Sequence, residues 1–157
     1  MKSMSVVYLI CLGVMIGIEL AAGAFVAPVI FFPQKLLGEG VLSHFQSGIL
    51  MTEIFLRMNF LLLCFSLVSF VFELSLWISK AKSSDKASVL FSVMALVLTT
   101  LFVYYYTPFI VDAQAQGELA TASEAFRTIH KQSEWVMKGL MMTQIGLFVR
   151  RGLLLGN

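Results

Sequence analysis

Glu19 is the only charged residue between Lys2 and Lys35, and it stands inside an apolar run long enough to cross a bilayer. A carboxylate at that depth costs several kcal/mol unless it is paired, protonated or facing water. A carboxyl so placed has three chemistries open to it: it can hold a cation, carry a proton, or neutralise a base on a neighbouring helix. Depth along the chain identifies a base. With a helical rise of about 1.5 Å per residue, Glu19 lies roughly 21 Å up from Ser5, and Lys138 lies roughly 18 Å up from Arg150. The two share a level, so an ion pair is expected, and Thr99 and Thr100 sit near the same depth and can add a hydroxyl.

Further polar groups collect toward one end. Arg57 is roughly 34 Å from Lys80 along its run, at the membrane boundary, and Glu53 precedes it at the i, i+4 spacing that favours pairing. His44, His130, Glu134 and Tyr104, Tyr105 and Tyr106 fall near that boundary too. Glu19, Lys138, Arg57, Glu53, Thr99 and His130 thereby outline a polar pocket open to the outside, suited to a small polar, metal or lipid-headgroup ligand. A purely structural account stands beside it, with Glu19 and Lys138 as a pair joining two helices, and the tyrosines and Trp135 as an interfacial belt. Glu73 is a second buried acid, roughly 10 Å from Lys80. A hydrogen bond from Gln144, or a proton that keeps it neutral, would accommodate it, and a proton path from Glu73 through Glu19 is the sharper alternative.

The elements that must position these groups follow from composition. Of the 157 residues, 59% are hydrophobic and 13% charged, with a mean hydropathy of +0.88, which is the profile of an integral membrane protein. Four apolar runs, at about 5–32, 54–78, 87–107 and 135–154, each approach the twenty or so residues that a hydrocarbon core requires. The fourth is interrupted by Lys138, Gln144, Arg150 and Arg151. The expectation is an all-α, single-domain bundle of four transmembrane helices, with a short amphipathic helix before the fourth. A cleaved leader ending at Ala22-Gly23-Ala24 is disfavoured, because apolar character continues through Phe32. Pro28 and Pro33 are expected to bend or stop the first helix. Gly13 and Gly17, four apart, predict a close helix contact within the bundle.

Lys2, Lys80, Lys82, Lys86, Arg150 and Arg151 gather on one side of the spans. Lys35, Arg127 and Lys131 lie on the other, with Glu39, Asp112, Glu118, Glu124 and Glu134. The positive-inside rule puts both termini in the cytoplasm, and short loops favour a bacterial inner membrane. The scattered charge of +2 points to no nucleic-acid partner. Expected partners are the lipid bilayer and, beyond it, other membrane proteins or further copies of the chain. Cys11 and Cys64 match no metal or redox spacing and read as inert buried thiols. Met137, Met141 and Met142 read as packing rather than as a soft-metal path.

Ala27-Pro28-Val29-Ile30-Phe31 at the outer end of the first span, with Phe126, His130 and Ser133 just before the fourth, resemble the landmarks of the four-helix membrane protein family that includes transmembrane protein 205. The resemblance covers most of the chain. It implies a compact four-span protein of unestablished chemistry, with Pro28, Phe31, His130 and Ser133 as the positions carried over. Met137 and Lys138 stand where a small polar residue is expected after the serine. Binding or transport through the Glu19 pocket is thus the leading function. A haem-linked or redox protein using His44 and His130 is the alternative, and a non-catalytic subunit of a membrane complex a third class. No hydrolase signature or phosphate loop occurs, so neither catalysis nor a cofactor or metal is expected, apart from the haem alternative.

Overall fold

A computed structural model describes residues 2–38 and 40–156, without the Lys2 side chain. Glu39 and the Lys2 side chain, assigned by sequence to opposite ends, lie outside the described residues. The described chain is almost entirely helical. Helix α1 is apolar over Ser3–Phe31 and is followed by the short α2, Gln34–Leu37. Then come α3, His44–Ile78, and α4, Lys86–Ala115. The single turn α5, Glu118–Thr121, precedes α6, Glu124–Gly156.

Two expected boundaries move. Helix α3 starts at His44, ten positions ahead of the expected span, because Ser43 and Gln46 form a reciprocal capping box there. The amphipathic segment expected before the fourth span is divided: its start makes the single turn α5, Glu118–Thr121, and its remainder forms the first turns of α6. Helices α1 and α4 also share a device. A π-helical turn occupies Ala21–Val26 and Phe102–Tyr106, each just ahead of a proline, Pro28 and Pro108. The Ala27 N–H reaches back to the Ala22 carbonyl and the Thr107 N–H to the Phe102 carbonyl. Widening the turn by one residue relieves the clash between each proline ring and the carbonyl four residues before it. The helix continues instead of breaking.

The four long helices run alternately up and down in a closed ring. Contacts between Tyr8 and Phe72, and between the Ser47 hydroxyl and the Ile30 carbonyl at 2.8 Å, set α1 antiparallel to α3. Helix α4 packs on both α3 and α6, and α1 packs on α6. A Cβ added to Gly146 of α6 would stand 3.1 Å from the Phe91 ring, and one on Gly13 of α1 would stand 3.3 Å from the Phe148 ring, so these glycines make room for a phenyl ring of the neighbouring helix. Gly17 has nothing within 4 Å. The expected Gly13–Gly17 contact is therefore made at Gly13 alone.

Burial is inverted relative to a water-soluble bundle. The interior includes Asn59, Ser66, Glu73, Thr99, Gln144 and Arg151, while Phe25, Phe60, Ile78 and Met142 face outward. Large apolar side chains on the outside suit hydrocarbon, and the polar groups must then satisfy one another within the bundle. They do so largely along one seam. Thr52, Asn59, Ser66 and Glu73 recur every seven residues on α3, the period that keeps one stripe facing a neighbouring helix. Gln114 donates to Thr52 at 2.9 Å, Asn59 donates to Thr107 at 3.1 Å, and the Ser66 and Thr99 hydroxyls are 2.7 Å apart. Met15, Met58, Leu62 and Leu140 fill the core beside this ladder.

Three helices, Ser3–Phe31, His44–Ile78 and Lys86–Ala115, are long and apolar enough to cross a membrane. Helix α6 is longer than needed at 33 residues, but its charged and amide side chains dilute its apolar character. A double-mutant cycle over Ser66→Ala and Thr99→Ala, read from unfolding in mixed micelles, is expected to give a coupling of about 0.6 kcal/mol, and no more than about 1.7 kcal/mol. Zero coupling would remove this rung from the stability account.

Candidate functional site

Glu19 projects from the last α-helical turns of α1, two residues before the π-helical turn, and is 6% exposed. Gln144 of α6, 4% exposed, approaches its carboxyl without closing a hydrogen bond. Both Glu19 oxygens and Gln144 Oε1 are buried with no hydrogen-bond partner. These atoms are all acceptors. Such a cluster is costly in an apolar interior and is completed by a cation, a proton or a donor group.

Lys138 does not complete it. Its ammonium lies 3.5 Å from Glu134 and 5.0 Å from the centre of the Trp135 ring, and its side chain is 57% exposed. Neither depth nor azimuth matches: Gln144, which faces Glu19, is six residues from Lys138, about 9 Å along α6 and roughly 240° around it. Thr99 is likewise elsewhere, bonded to Ser66. Arg57 and Glu53 pair as expected at 3.0 Å, but on the surface, with side chains 79% and 55% exposed, where such a pair contributes little. The outward pocket joining Glu19, Lys138, Arg57 and His130 is therefore not formed.

His130 belongs to a local cluster on α6. Its ring stacks on Phe126 with centroids 5.6 Å apart, its Nε2 lies 3.5 Å from Glu134, and its carbonyl accepts from the Ser133 hydroxyl at 2.7 Å. The Nδ1 atom is buried and unpartnered. His44 instead lies beside Phe31, with ring centroids 5.4 Å apart. Among the described residues, no three His, Cys, Asp or Glu side chains converge as a metal-ligand set. Cys11 is half-buried and Cys64 exposed, so the expectation of two buried thiols fails for Cys64.

At the opposite end lies a cluster that depth arithmetic assigned wrongly. Glu73 is bonded not to Gln144 but to Arg151, in a bidentate pair whose side chains are 0% and 1% exposed. Arg151 Nε donates to Glu73 Oε1 at 2.6 Å, Nη2 donates to Oε2, and Nη1 donates to the Ser83 carbonyl at 2.7 Å. The guanidinium also lies 5.7 Å from the Phe72 ring centre. The Arg151 guanidinium is thus fully engaged within the bundle, between α3 and the loop that follows it. Arg150 turns the other way and clasps Asp85, at 2.8 Å and 3.2 Å. Asp85 is also the N-cap of α4, accepting from the Ser88 N–H at 3.0 Å. A sequence signal for Glu73 existed in the seven-residue spacing from Thr52, which marks it as facing the bundle.

A ring of mostly apolar-faced helices with a polar interior defines a helical membrane protein of unestablished activity. Residues 10–119 match the family described as Domain of unknown function (DUF4149), and since that is most of the chain, the protein belongs to this family. The matched stretch holds Glu19, Glu73 and the α3–α4 ladder, and ends before α6, which supplies Gln144 and Arg151. No curated protein and no solved structure matches the chain.

Two outcomes are expected at the arginine end. Glu73→Gln or Arg151→Met alone should lower stability by about 3–5 kcal/mol, because each strands a buried charge or leaves its donors unpaired. The double variant Glu73→Leu with Arg151→Met should recover most of that in the same denaturation assay, and a double variant as unstable as the singles would refute the assignment. The Arg150 guanidinium holds the Asp85 carboxyl below the ordinary carboxylate range, opposed by desolvation and aided by Ser88. A depressed folded value means that this clasp is complete above the ordinary value near pH 4 and is lost as pH falls below it. Protection factors for amide hydrogen exchange at residues 84–89, taken relative to the intrinsic rate at each pH, should fall on acidification in the wild type, and an Arg150→Gln variant should show low protection already at neutral pH.

Proposed function

We propose that this is a four-span protein of the bacterial inner membrane, with both termini cytoplasmic, that binds and transports a small cationic or hydrogen-bond-donating solute at Glu19 and Gln144. The observation that carries this reading is the set of buried, unpartnered acceptors: both oxygens of Glu19 and Oε1 of Gln144. Unpartnered carboxylate oxygens favour donors and hard cations over phosphate, with the Gln144 amide beside them, which narrows the ligand classes expected from sequence. The adjoining π-helical turn at Ala21–Val26 supports it further, since such turns are frequent at functional sites.

Helix α6 serves as the fourth span in this reading. Its polar Thr143, Gln144 and Arg151 are buried, whereas Met142, Val149 and Leu153 are exposed. Its low apolar character thus reflects an inward polar face, which a bundle tolerates. The resemblance to transmembrane protein 205 belongs here as well, carried by Pro28, Phe31, His130 and Ser133. The haem reading has less behind it, because His130 is engaged by Phe126 and Glu134 and His44 lies beside Phe31.

Thermal unfolding of the detergent-solubilised protein, titrated with sodium, potassium, magnesium, manganese or ammonium chloride, tests the site. At least one cation should stabilise the wild type, by about 2.7 kcal/mol when present at about a hundredfold excess over its Kd. Glu19→Gln should fold and lose that response, and Glu134→Gln should keep it. A wild type indifferent to every cation, or a Glu19→Gln variant that responds equally, would sink the proposal.

A further inference from the structure

A groove of about 540 Å³ separates α1 from α3 between residues 3–11 and 64–72, in the half of the bundle where α3 runs down to its end at Ile78 ahead of the loop 80–86 and α1 leans more on α6 than on α3. Val7, Cys11, Cys64, Phe65, Val68 and Phe72 line it, and the Tyr8 hydroxyl is buried behind the wall. The lining is overwhelmingly carbon and sulfur, with Ser3 and Ser69 as minor polar contributors, and the volume is that of a ligand pocket rather than a packing defect. Because the groove runs between two helices apolar enough to span a membrane, its occupant is hydrocarbon.

The charges at that end name the rest of the occupant. Lys80, Lys82 and Lys86 are exposed, and none of them takes part in an ion pair among the described residues. The two acids nearby are already consumed, Glu73 by Arg151 and Asp85 by Arg150. Lys86 lies 5.9 Å from the Trp77 ring centre, an aromatic and basic pairing suited to the headgroup level. Free cations beside a membrane-level apolar slot match an anionic headgroup above an acyl chain.

We infer that this groove seats one acyl chain of an anionic phospholipid, whose phosphate is held by Lys80, Lys82 and Lys86. This rests on the membrane-spanning reading of α1 and α3 and is independent of Glu19. The protein provides its own reporter: Cys11 and Cys64 are its two cysteines, and both line the groove.

Alkylation of the wild-type protein by N-ethylmaleimide in detergent, followed by mass, should slow when phosphatidylglycerol is added. At equal mole fraction, phosphatidylglycerol should protect more strongly than phosphatidylcholine, on the order of tenfold at low salt. The combined variant Lys80→Gln, Lys82→Gln, Lys86→Gln should lose the preference and keep the weaker protection by the chain. Val68→Trp, which fills the groove from α3, should reduce the phosphatidylglycerol retained in native mass spectra. If that variant does not fold, the lysine variant decides alone. Equal protection by the two lipids, or a preference that survives the lysine changes, overturns the anionic assignment. Protection that rises with protein concentration instead of lipid assigns the groove to a second copy of the chain and overturns the lipid seat. The cation titration at Glu19 is unaffected by any of these outcomes.

Discussion

A guanidinium and a carboxylate buried together in the bundle, Arg151 against Glu73, set the terms for the rest of the structure. Moving either ion alone from water into a medium of low dielectric constant costs of order 20 kcal/mol in the idealised limit, so neither can be buried without the other. Their bidentate fit fixes the height and rotation of α6 against α3. Through its third nitrogen Arg151 also holds the Ser83 carbonyl, and Arg150 holds the cap of α4 through Asp85. Two adjacent arginines thus tie three helices and one loop at a single end.

The same constraint, in milder form, shapes the interior between α3 and α4. Lipid tails are as apolar as leucine, so burying leucine inside the bundle gains little over leaving it outside, and association relies on close packing and hydrogen bonds. Glycines at positions 13 and 146 admit the Phe148 and Phe91 rings of neighbouring helices, and the ladder from Thr52 to Ser66 bonds α3 to α4 side by side. Against that background of satisfied groups Glu19 is an exception, since a carboxyl could have been paired at little cost in sequence, as Glu73 is. Both its oxygens lack a hydrogen-bond partner, beside a widened helical turn, whereas both oxygens of Glu73 accept from Arg151.

How far residues alone disclosed this depended on whether the interaction was local. Glu53 with Arg57 is an i, i+4 pair on one helix, and spacing foretold it. Glu19 with Lys138 and Glu73 with Gln144 were matched by height, and both matches failed. In the first, Lys138 had a closer partner one turn away in Glu134 and the wrong rotation for Glu19. In the second, Gln144 lies against Glu19 and a buried arginine takes Glu73 instead. The seven-residue recurrence on α3 was present in the sequence throughout, and serine, threonine and asparagine are easily passed over because each is unremarkable alone in a membrane helix.

Sequence by itself determined that the chain is helical and membrane-compatible and which side chains are too polar for lipid, because composition and the pattern along the chain settle those one-dimensional quantities. Tertiary structure decided who pairs with whom. Pairing requires the rotation of each helix about its axis and the reach of each side chain, and both emerge only when four helices compete to bury the same limited set of polar groups. Arg151 went to Glu73, Thr99 to Ser66 and Lys138 to the surface, and Glu19 was left facing Gln144 with its oxygens free.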